Sequence, residues 1–200
     1  MLVSVAGTPC VGKTSLCREM EKRGFVYRDI REIIDQNGLS EGTPEKNGEV
    51  IVDAGKLEEK LMELDLGRKV DTVLDGHLSY LAPSDICFVL RLHPEELRKR
   101  LEQRPYGRAK IEENVEAEAV SVVLVEALAK EEERLEGRPW TELPPGCGIV
   151  FEIDATGAET GPLADRAAAL LDACGGKRLN ELEKYRPGRI DWLEVVAGWF

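Results

Sequence analysis

The chain has 200 residues, of which 42% are hydrophobic, and its formal net charge is −11. This length fits one globular domain with a sizeable core and leaves little room for a second full domain. The negative charge would repel a nucleic-acid backbone, so we do not expect direct nucleic-acid binding.

Cysteine usage and hydropathy bear on the cellular compartment. The five cysteines are scattered, odd in number and without a C-x-x-C pair, which argues against a disulfide framework or a zinc site. They are typical of reduced thiols in the cytoplasm. No apolar run approaches membrane-spanning length, and no leader-like segment opens the chain. We therefore expect a cytoplasmic protein with no membrane partner.

The first predicted strand, Leu2–Ala6, leads directly into a glycine-rich motif. Residues 7–14 fill every fixed position of G-x-x-x-x-G-K-[ST], and a helix-like segment follows. At such a turn, backbone N–H groups and the helix dipole point at one place, which suits the phosphates of a nucleoside triphosphate. Lys13 can reach the β- and γ-phosphate oxygens, and the Thr14 hydroxyl can ligate Mg²⁺. The motif predicts a phosphate-binding P-loop.

Further apolar runs of strand length follow along the chain, at 25–27, 72–74, 86–90 and 149–153. Helix-like stretches separate most of them, which is typical of a parallel sheet covered by helices on both faces. We predict a doubly wound α/β domain. Residues 37–48, rich in Gly, Asn and Glu, have no clear periodicity and indicate a loop or mobile insert after the second strand.

Asp75 and His77 follow the third predicted strand. A carboxylate at the carboxyl end of a buried strand lies where sheets of this class bind ligands, so Asp75 is a candidate Walker B residue that holds Mg²⁺ opposite Thr14. His77, two residues later, could orient water or an acceptor near the γ-phosphate. The alternative for His77 is a histidine that is simply hydrogen-bonded in a loop.

A basic segment, residues 100–110, contains Arg100, Arg104, Arg108 and Lys110 around a Gly/Pro-containing turn. Guanidinium groups can meet phosphate oxygens with paired hydrogen bonds, and a closing lid would exclude water. The segment therefore predicts a lid. The alternative is a solvated basic helix end that complements the helix dipole.

Two helices are predicted in the second half of the chain. Apolar residues from Ile111 onward share one face of a long helix that ends in the charged run 130–136, and residues 162–173 form a closing helix. The tail, 177–200, mixes cations and aromatic residues that could bind RNA with bulky apolar residues that could pack on the core. Packing is the favoured interpretation, since exposed apolar residues favour aggregation.

Three groups of residues together resemble one known family. They are the P-loop beginning Gly7-Thr8-Pro9, the Asp75-Gly76-His77 segment, and Arg100–Tyr106 followed by Lys110-Ile111-x-x-Asn114-x-x-Ala117-Glu118. This combination resembles the archaeal adenylate kinases related to eukaryotic adenylate kinase isoenzyme 6, the coilin-interacting nuclear ATPase. The resemblance covers about residues 1–175, and the 185–192 segment is similar to the tail of archaeal members.

The resemblance implies a three-layer P-loop fold of the nucleoside monophosphate kinase type. Its parallel sheet would have five strands in the order 2-3-1-4-5, with helices on both faces. The kinase-like domain would span residues 1–176, with a monophosphate-binding insert at about 29–52 and a short lid at about 103–113. Residues 177–200 would form a tail that packs on the core or binds a partner.

The family's activity, as the resemblance implies it, is transfer of the γ-phosphoryl group of ATP to AMP and related monophosphates, with ATP hydrolysis besides. The phosphates of ATP would be held by the loop residues Cys10, Gly12, Lys13, Thr14 and Ser15 and by the lid residue Arg104. The catalytic residues would be Lys13, Asp75, His77 and Arg104. Thr14 and Asp75 would bind Mg²⁺. Family members also act in maturation of the small ribosomal subunit and its 16S rRNA, through a platform ribosomal protein, a basic partner that an acidic surface could accept.

The chain departs from the family pattern in two places. Cys10 stands where the family usually has glycine, so its side chain must point away from the phosphates or reshape the loop. In the insert, Arg31 falls one place early for the usual pattern.

Two alternatives to a nucleoside monophosphate kinase remain open from the sequence. The first is a ribosome-assembly ATPase whose kinase activity is incidental, and the second is a kinase of another small acceptor.

Overall fold

The computed structural model describes residues 1–41, 51–139 and 148–198. The strands of the main sheet are, in chain order, β1 (Leu2–Ala6), β2 (Val26–Asp29), β5 (Thr72–Asp75), β6 (Ile86–Arg91) and β7 (Ile149–Asp154). These five parallel strands lie in the order β2-β5-β1-β6-β7. Numbered one to five within this sheet, they have the order 2-3-1-4-5, as predicted. A separate antiparallel pair consists of β3 (Ser40–Glu41) and β4 (Ile51–Val52).

Helices cover both faces of the main sheet, and two buried apolar clusters fill the space between the layers. The helices are α1 (Lys13–Lys22), α2 (Ile30–Gln36), α3 (Ala54–Glu63), α4 (Pro94–Glu102), α5 (Arg108–Ala119), α6 (Val122–Leu135), α7 (Thr160–Gly175), α8 (Leu179–Leu182) and α9 (Leu193–Ala197). Along β6, Phe88 belongs to the cluster under α1, α4 and α7, while Val89 belongs to the cluster under α2, α3 and α6. The α/β fold class is therefore confirmed.

The predicted long helix from Ile111 is wrong, because the structure has two helices there. Ser121 adopts a left-handed backbone with φ of 63°, and it separates α5 from α6. The two helices serve different clusters: Val115 of α5 is buried in one and Leu124 of α6 in the other. Val122, placed on the buried face by the sequence pattern, is exposed.

The segments predicted to form the insert and the lid contain both helix and strand. Helix α2 fills the first part of 29–52, and β3 and β4 pair near the two ends of the remainder. The last part of the predicted mobile segment, 42–48, lies outside the described residues. The lid segment 103–113 consists of a turn and the first half of α5.

Within its described part, the tail contacts the body of the protein. Leu182 is buried, and the Trp192 ring lies edge-on to the His93 ring with 4.9 Å between centroids. Among the helices in the described ranges, none combines the length and apolar character that a membrane span requires.

Candidate active site

The P-loop connects the end of β1 to the first turn of α1, and two glycines give it its shape. Gly7 and Gly12 have φ of 136° and 112°, values that side chains with a Cβ rarely adopt. A Cβ at Gly7 would lie 2.6 Å from the carbonyl oxygen of Leu90 on β6. Only glycine therefore lets the loop pass this close to the neighbouring strand.

Lys13 lies inside this loop and is half-buried. Its Nζ donates to the carbonyl oxygens of Gly7 and Thr8, at 2.9 Å each. Burial lowers the pKa of Lys13, and the negative charge of Asp75 opposes that shift. Thr14 and Ser15 are exposed in the first turn of α1. The site thus holds a desolvated amino group that phosphate oxygens would stabilise.

Cys10 has a left-handed backbone with φ of 69°. This conformation explains why glycine suits the position, since a Cβ there is costly. The Cys10 side chain packs against the hydrophobic core, as expected for a thiol that leaves the phosphate side of the loop. Its carbonyl oxygen, like that of Val11, lies 3.4 Å from the Arg100 guanidinium.

Asp75 ends β5 and is only 4% exposed. The Tyr27 hydroxyl donates to its Oδ2 at 3.0 Å. Burial, followed by the charge of Asp75, raises the pKa of Tyr27 well above its usual range, so the phenol remains a donor. At Gly76, a Cβ would lie 2.1 Å from Cγ2 of Ile30, which explains the glycine between Asp75 and His77.

These groups share a cleft of about 670 Å³. Four predicted site residues line it: Lys13, Thr14, Asp75 and His77. The opposite wall comes from the insert and the lid, through Asp29, Ile30, Arg31, Ile34, Asp35, Ile51, Val52, Tyr106 and Lys110. Arg104 is exposed in the turn after α4. The cleft lining does not include Arg104, Cys10, Gly12 or Ser15.

The oxygen donors of this cleft fit a magnesium ion. Mg²⁺ prefers hard oxygen ligands and keeps several water or phosphate ligands, so one hydroxyl and one carboxylate on a shared wall suffice. Thr14 and Asp75 supply them. Within the described ranges, no group of three or more His, Cys, Asp or Glu side chains is placed to hold a metal. An ion bound here would therefore share its coordination with the nucleotide.

Three contributors to the site were not among the site residues predicted from the sequence. Tyr27 gave no signal, because its bond to Asp75 joins two strands that are distant in sequence. Arg100 precedes Arg104 by one helical turn and is the arginine of that pair that contacts the P-loop. Glu118 did carry a signal: it continues the buried stripe of Ile111 and Val115, where a carboxylate is unusual.

The chain is similar to known proteins over most of its length. The AAA domain family matches residues 3–121. A protein of Pyrococcus furiosus named "Putative adenylate kinase" is 36% identical over 98% of this chain and 93% of its own length. One of the same name from Thermococcus onnurineus is 35% identical over 97% of this chain and 92% of its own length. The chain belongs to the family of these archaeal relatives.

Among solved structures, a sugar kinase from Janibacter sp. HTCC2649 matches with a TM-score of 0.52 and 16% identity, covering 86% of this chain and 94% of that one. This match supports the fold alone. Membership of the archaeal family covers nearly the whole chain, including α5 and the tail, whereas the AAA domain match ends just after α5.

Proposed function

We propose that the protein is an ATP-dependent nucleoside monophosphate kinase that converts ATP and AMP into two ADP and accepts related monophosphates. One observation carries the proposal: a single cleft joins the P-loop residues Lys13 and Thr14 to residues of the insert, among them the charged Asp29 and Arg31. Its volume lies within the range of small-molecule sites. The names of the archaeal relatives support the same activity.

In this proposal each part of the site has a role in positioning or in charge stabilisation. The loop amides and Lys13 hold the donor phosphates, and Thr14 and Asp75 hold Mg²⁺, which neutralises phosphate charge when bound. His77 orients the acceptor, and Arg104 reaches the transferred group from the lid, 103–113. The insert, 29–52, holds the monophosphate. No covalent intermediate is needed.

We further propose that the protein hydrolyses ATP slowly and acts in the cytoplasm in small ribosomal subunit maturation, with a platform ribosomal protein as partner. The family resemblance supports this role. The net charge of −11 also suits a strongly basic partner.

Product analysis with Mg·ATP tests the kinase proposal. The purified protein would be incubated with a panel of monophosphates, and nucleoside diphosphate and free phosphate would be measured. We expect two ADP per ATP consumed when AMP is present, with little phosphate. Lys13→Met serves as the background control, because it keeps most of the length of the side chain and removes its charge. Phosphate release at the same rate with or without any monophosphate, with no diphosphate formed from the acceptor, would refute the kinase activity and favour an ATPase.

A further inference from the structure

A buried hydrogen-bond network ties the P-loop to the last turn of α5. The Thr8 hydroxyl donates to Oε2 of Glu118 at 2.5 Å. Oε1 of the same carboxylate accepts from Nε of Arg91 at 2.7 Å and from the backbone N–H of Leu92 at 3.1 Å. Thr8 and Glu118 are each 2% exposed and Arg91 is 1% exposed. These groups are therefore held without help from bulk water.

The same network extends to the tail. Nη1 of Arg91 donates to Oε1 of Glu152 at 2.6 Å, and Oε2 of Glu152 accepts from the backbone N–H groups of Gly188 and Arg189 at 3.1 and 3.3 Å. Two carboxylates thus share one guanidinium. Because buried carboxylates need their full set of donors, the Thr8 hydroxyl is part of what stabilises Glu118.

Thr8 also contacts the cation of the site. While its hydroxyl binds Glu118, its carbonyl oxygen accepts from Nζ of Lys13 at 2.9 Å. One residue therefore connects the carboxylate of α5 to the amino group predicted to contact phosphate.

Helix α5 reaches the cleft at its other end. Lys110, about two turns before Glu118, lines the cleft, as does Tyr106, just before the helix begins. A helix of this length moves as one body, so displacement of the lid end is transmitted to Glu118 and Thr8.

We propose that Glu118 is a positioning residue that fixes the P-loop through the Thr8 hydroxyl and makes the lid end of α5 and the P-loop move together. The inference rests on the nucleotide kinase function proposed above. Glu118 itself touches no reacting atom. It acts by holding the loop whose amides and lysine bind the phosphates.

Thr8→Val tests the proposal, because valine has the shape of threonine without the hydroxyl. Replacing Glu118 would leave the buried Arg91 without this partner and would endanger folding. Thr8→Val leaves the ion pair between Arg91 and Glu118 in place. The matched control is Thr72→Val, which removes another buried hydroxyl. Thr72 lies at the start of β5, and its hydroxyl donates to the carbonyl oxygen of Val70 at 3.0 Å. Unfolding free energies would show that the two variants lose similar stability.

Affinity for Mg·ATP, measured by calorimetry without acceptor, is the first readout. We expect Thr8→Val to weaken binding about tenfold, as for loss of a hydrogen bond to a charged group, and Thr72→Val to bind like the wild type. Thr8→Ser should recover most of the loss. Equal affinities for Thr8→Val and Thr72→Val would overturn the proposal. If the wild type bound ATP but phosphorylated no monophosphate, the kinase function would be refuted. The comparison of ATP affinity between Thr8→Val and Thr72→Val would remain valid.

Amide hydrogen exchange is the second readout, taken as the slowing that ATP causes relative to the free protein, because a purely structural loss of stability would raise exchange in both states. In the wild type and in Thr72→Val, saturating Mg·ATP should slow exchange in both the P-loop and α5. In Thr8→Val, also at saturation, protection of the P-loop should persist and protection of α5 should fall. Undiminished protection of α5 in Thr8→Val would show that the two elements are not coupled through this bond.

Discussion

At the scale of single residues, the candidate site depends on how its charged groups are held. Asp75 is buried, and the Tyr27 hydroxyl donates to one of its oxygens. The Arg18 guanidinium lies over the Tyr27 ring, 3.7 Å from its centroid, and fixes the ring from the other side. Tyr27 therefore restricts the rotation of the carboxylate predicted to bind Mg²⁺.

Tyr27→Phe should raise the Mg²⁺ concentration needed for half-maximal activity several-fold. The ring and its contact with Arg18 remain, so the loss is confined to one hydrogen bond to a carboxylate, worth about 1.5–3 kcal/mol. Binding of ATP in the absence of Mg²⁺ should change little, because the phenol does not contact the phosphates. Activity and ATP affinity would be titrated against Mg²⁺.

Tyr80→Phe is the matched control for that experiment. The Tyr80 hydroxyl also donates to a carboxylate, Oε2 of Glu126 at 2.9 Å, but neither residue lines the cleft. We expect a loss of stability and an unchanged Mg²⁺ dependence. If the two variants had the same Mg²⁺ dependence, Tyr27 would have no role in positioning Asp75.

How far the sequence predicts the site depends on the kind of contact. Lys13, Thr14, Asp75 and His77 could be predicted, because parallel strands bring their carboxyl ends to one edge and each of these residues follows such an end. The contact of Tyr27 with Asp75 and the bond between Thr8 and Glu118 could not, because they depend on which side chains meet between neighbouring strands and between layers. The predicted role of Arg104 remains a prediction, since it lies outside the cleft lining.

At the scale of elements, the ends of helices decide where the walls of the cleft lie. Helix α3 begins immediately after the insert, and Asp53 caps it by accepting from the backbone N–H groups of Gly55 and Lys56 at 2.9 and 3.2 Å. Leu57 and Leu61 anchor the rest of the helix in the core. Asp53 thus fixes the point at which the insert rejoins the sheet domain.

Asp53→Ala should lower the melting temperature at pH 7, and the difference from the wild type should shrink in acid. The backbone hydrogen bond from Lys56 holds the pKa of Asp53 below its ordinary value near 3.8. A group with a lowered folded pKa contributes stability above its unfolded pKa and loses that contribution as the pH falls through the folded pKa. Thermal melts between pH 7 and pH 2 would follow this change.

Glu59→Ala is the control for the cap, since Glu59 is an exposed carboxylate in the middle of the same helix. We expect Glu59→Ala to change the melting temperature little at pH 7 or at pH 2. A pH-independent effect of Asp53→Ala would mean that the charge of the cap contributes nothing.

The break between α5 and α6 shows where sequence patterns fail at this scale. Helical periodicity continues through Ala119 and Val122, and no glycine or proline interrupts it. Ser121 adopts a left-handed backbone because α5 and α6 must reach opposite faces of the sheet. This requirement of tertiary packing outweighs the helix propensity of the local sequence. The strands were predictable, by contrast, because burial on both faces makes them continuously apolar.

At the scale of the whole molecule, the tail is joined to the sheet domain by buried charge. Arg186 donates from Nη1 and Nη2 to the two carboxylate oxygens of Glu131 at 2.7 and 3.0 Å, and to the carbonyl oxygen of Val150 at 2.8 Å. Glu131 is 3% exposed and lies on α6. The tail therefore runs along β7, the edge strand of the sheet, and covers groups that would otherwise meet solvent.

Arg186→Ala should lower the free energy of unfolding by about 3–5 kcal/mol, because it leaves Glu131 buried without its cation. The backbone N–H of Val150 still donates to that carboxylate, at 3.1 Å, and would not replace the lost charge.

Arg178→Ala is the control, since Arg178 belongs to the same tail but pairs with carboxylates at the surface. We expect this variant to change the free energy of unfolding little. Chemical denaturation of both variants gives the comparison. Equal losses would mean that the tail is held by its apolar residues alone, whereas a selective loss for Arg186→Ala would make this ion pair the bond that keeps the tail on the sheet.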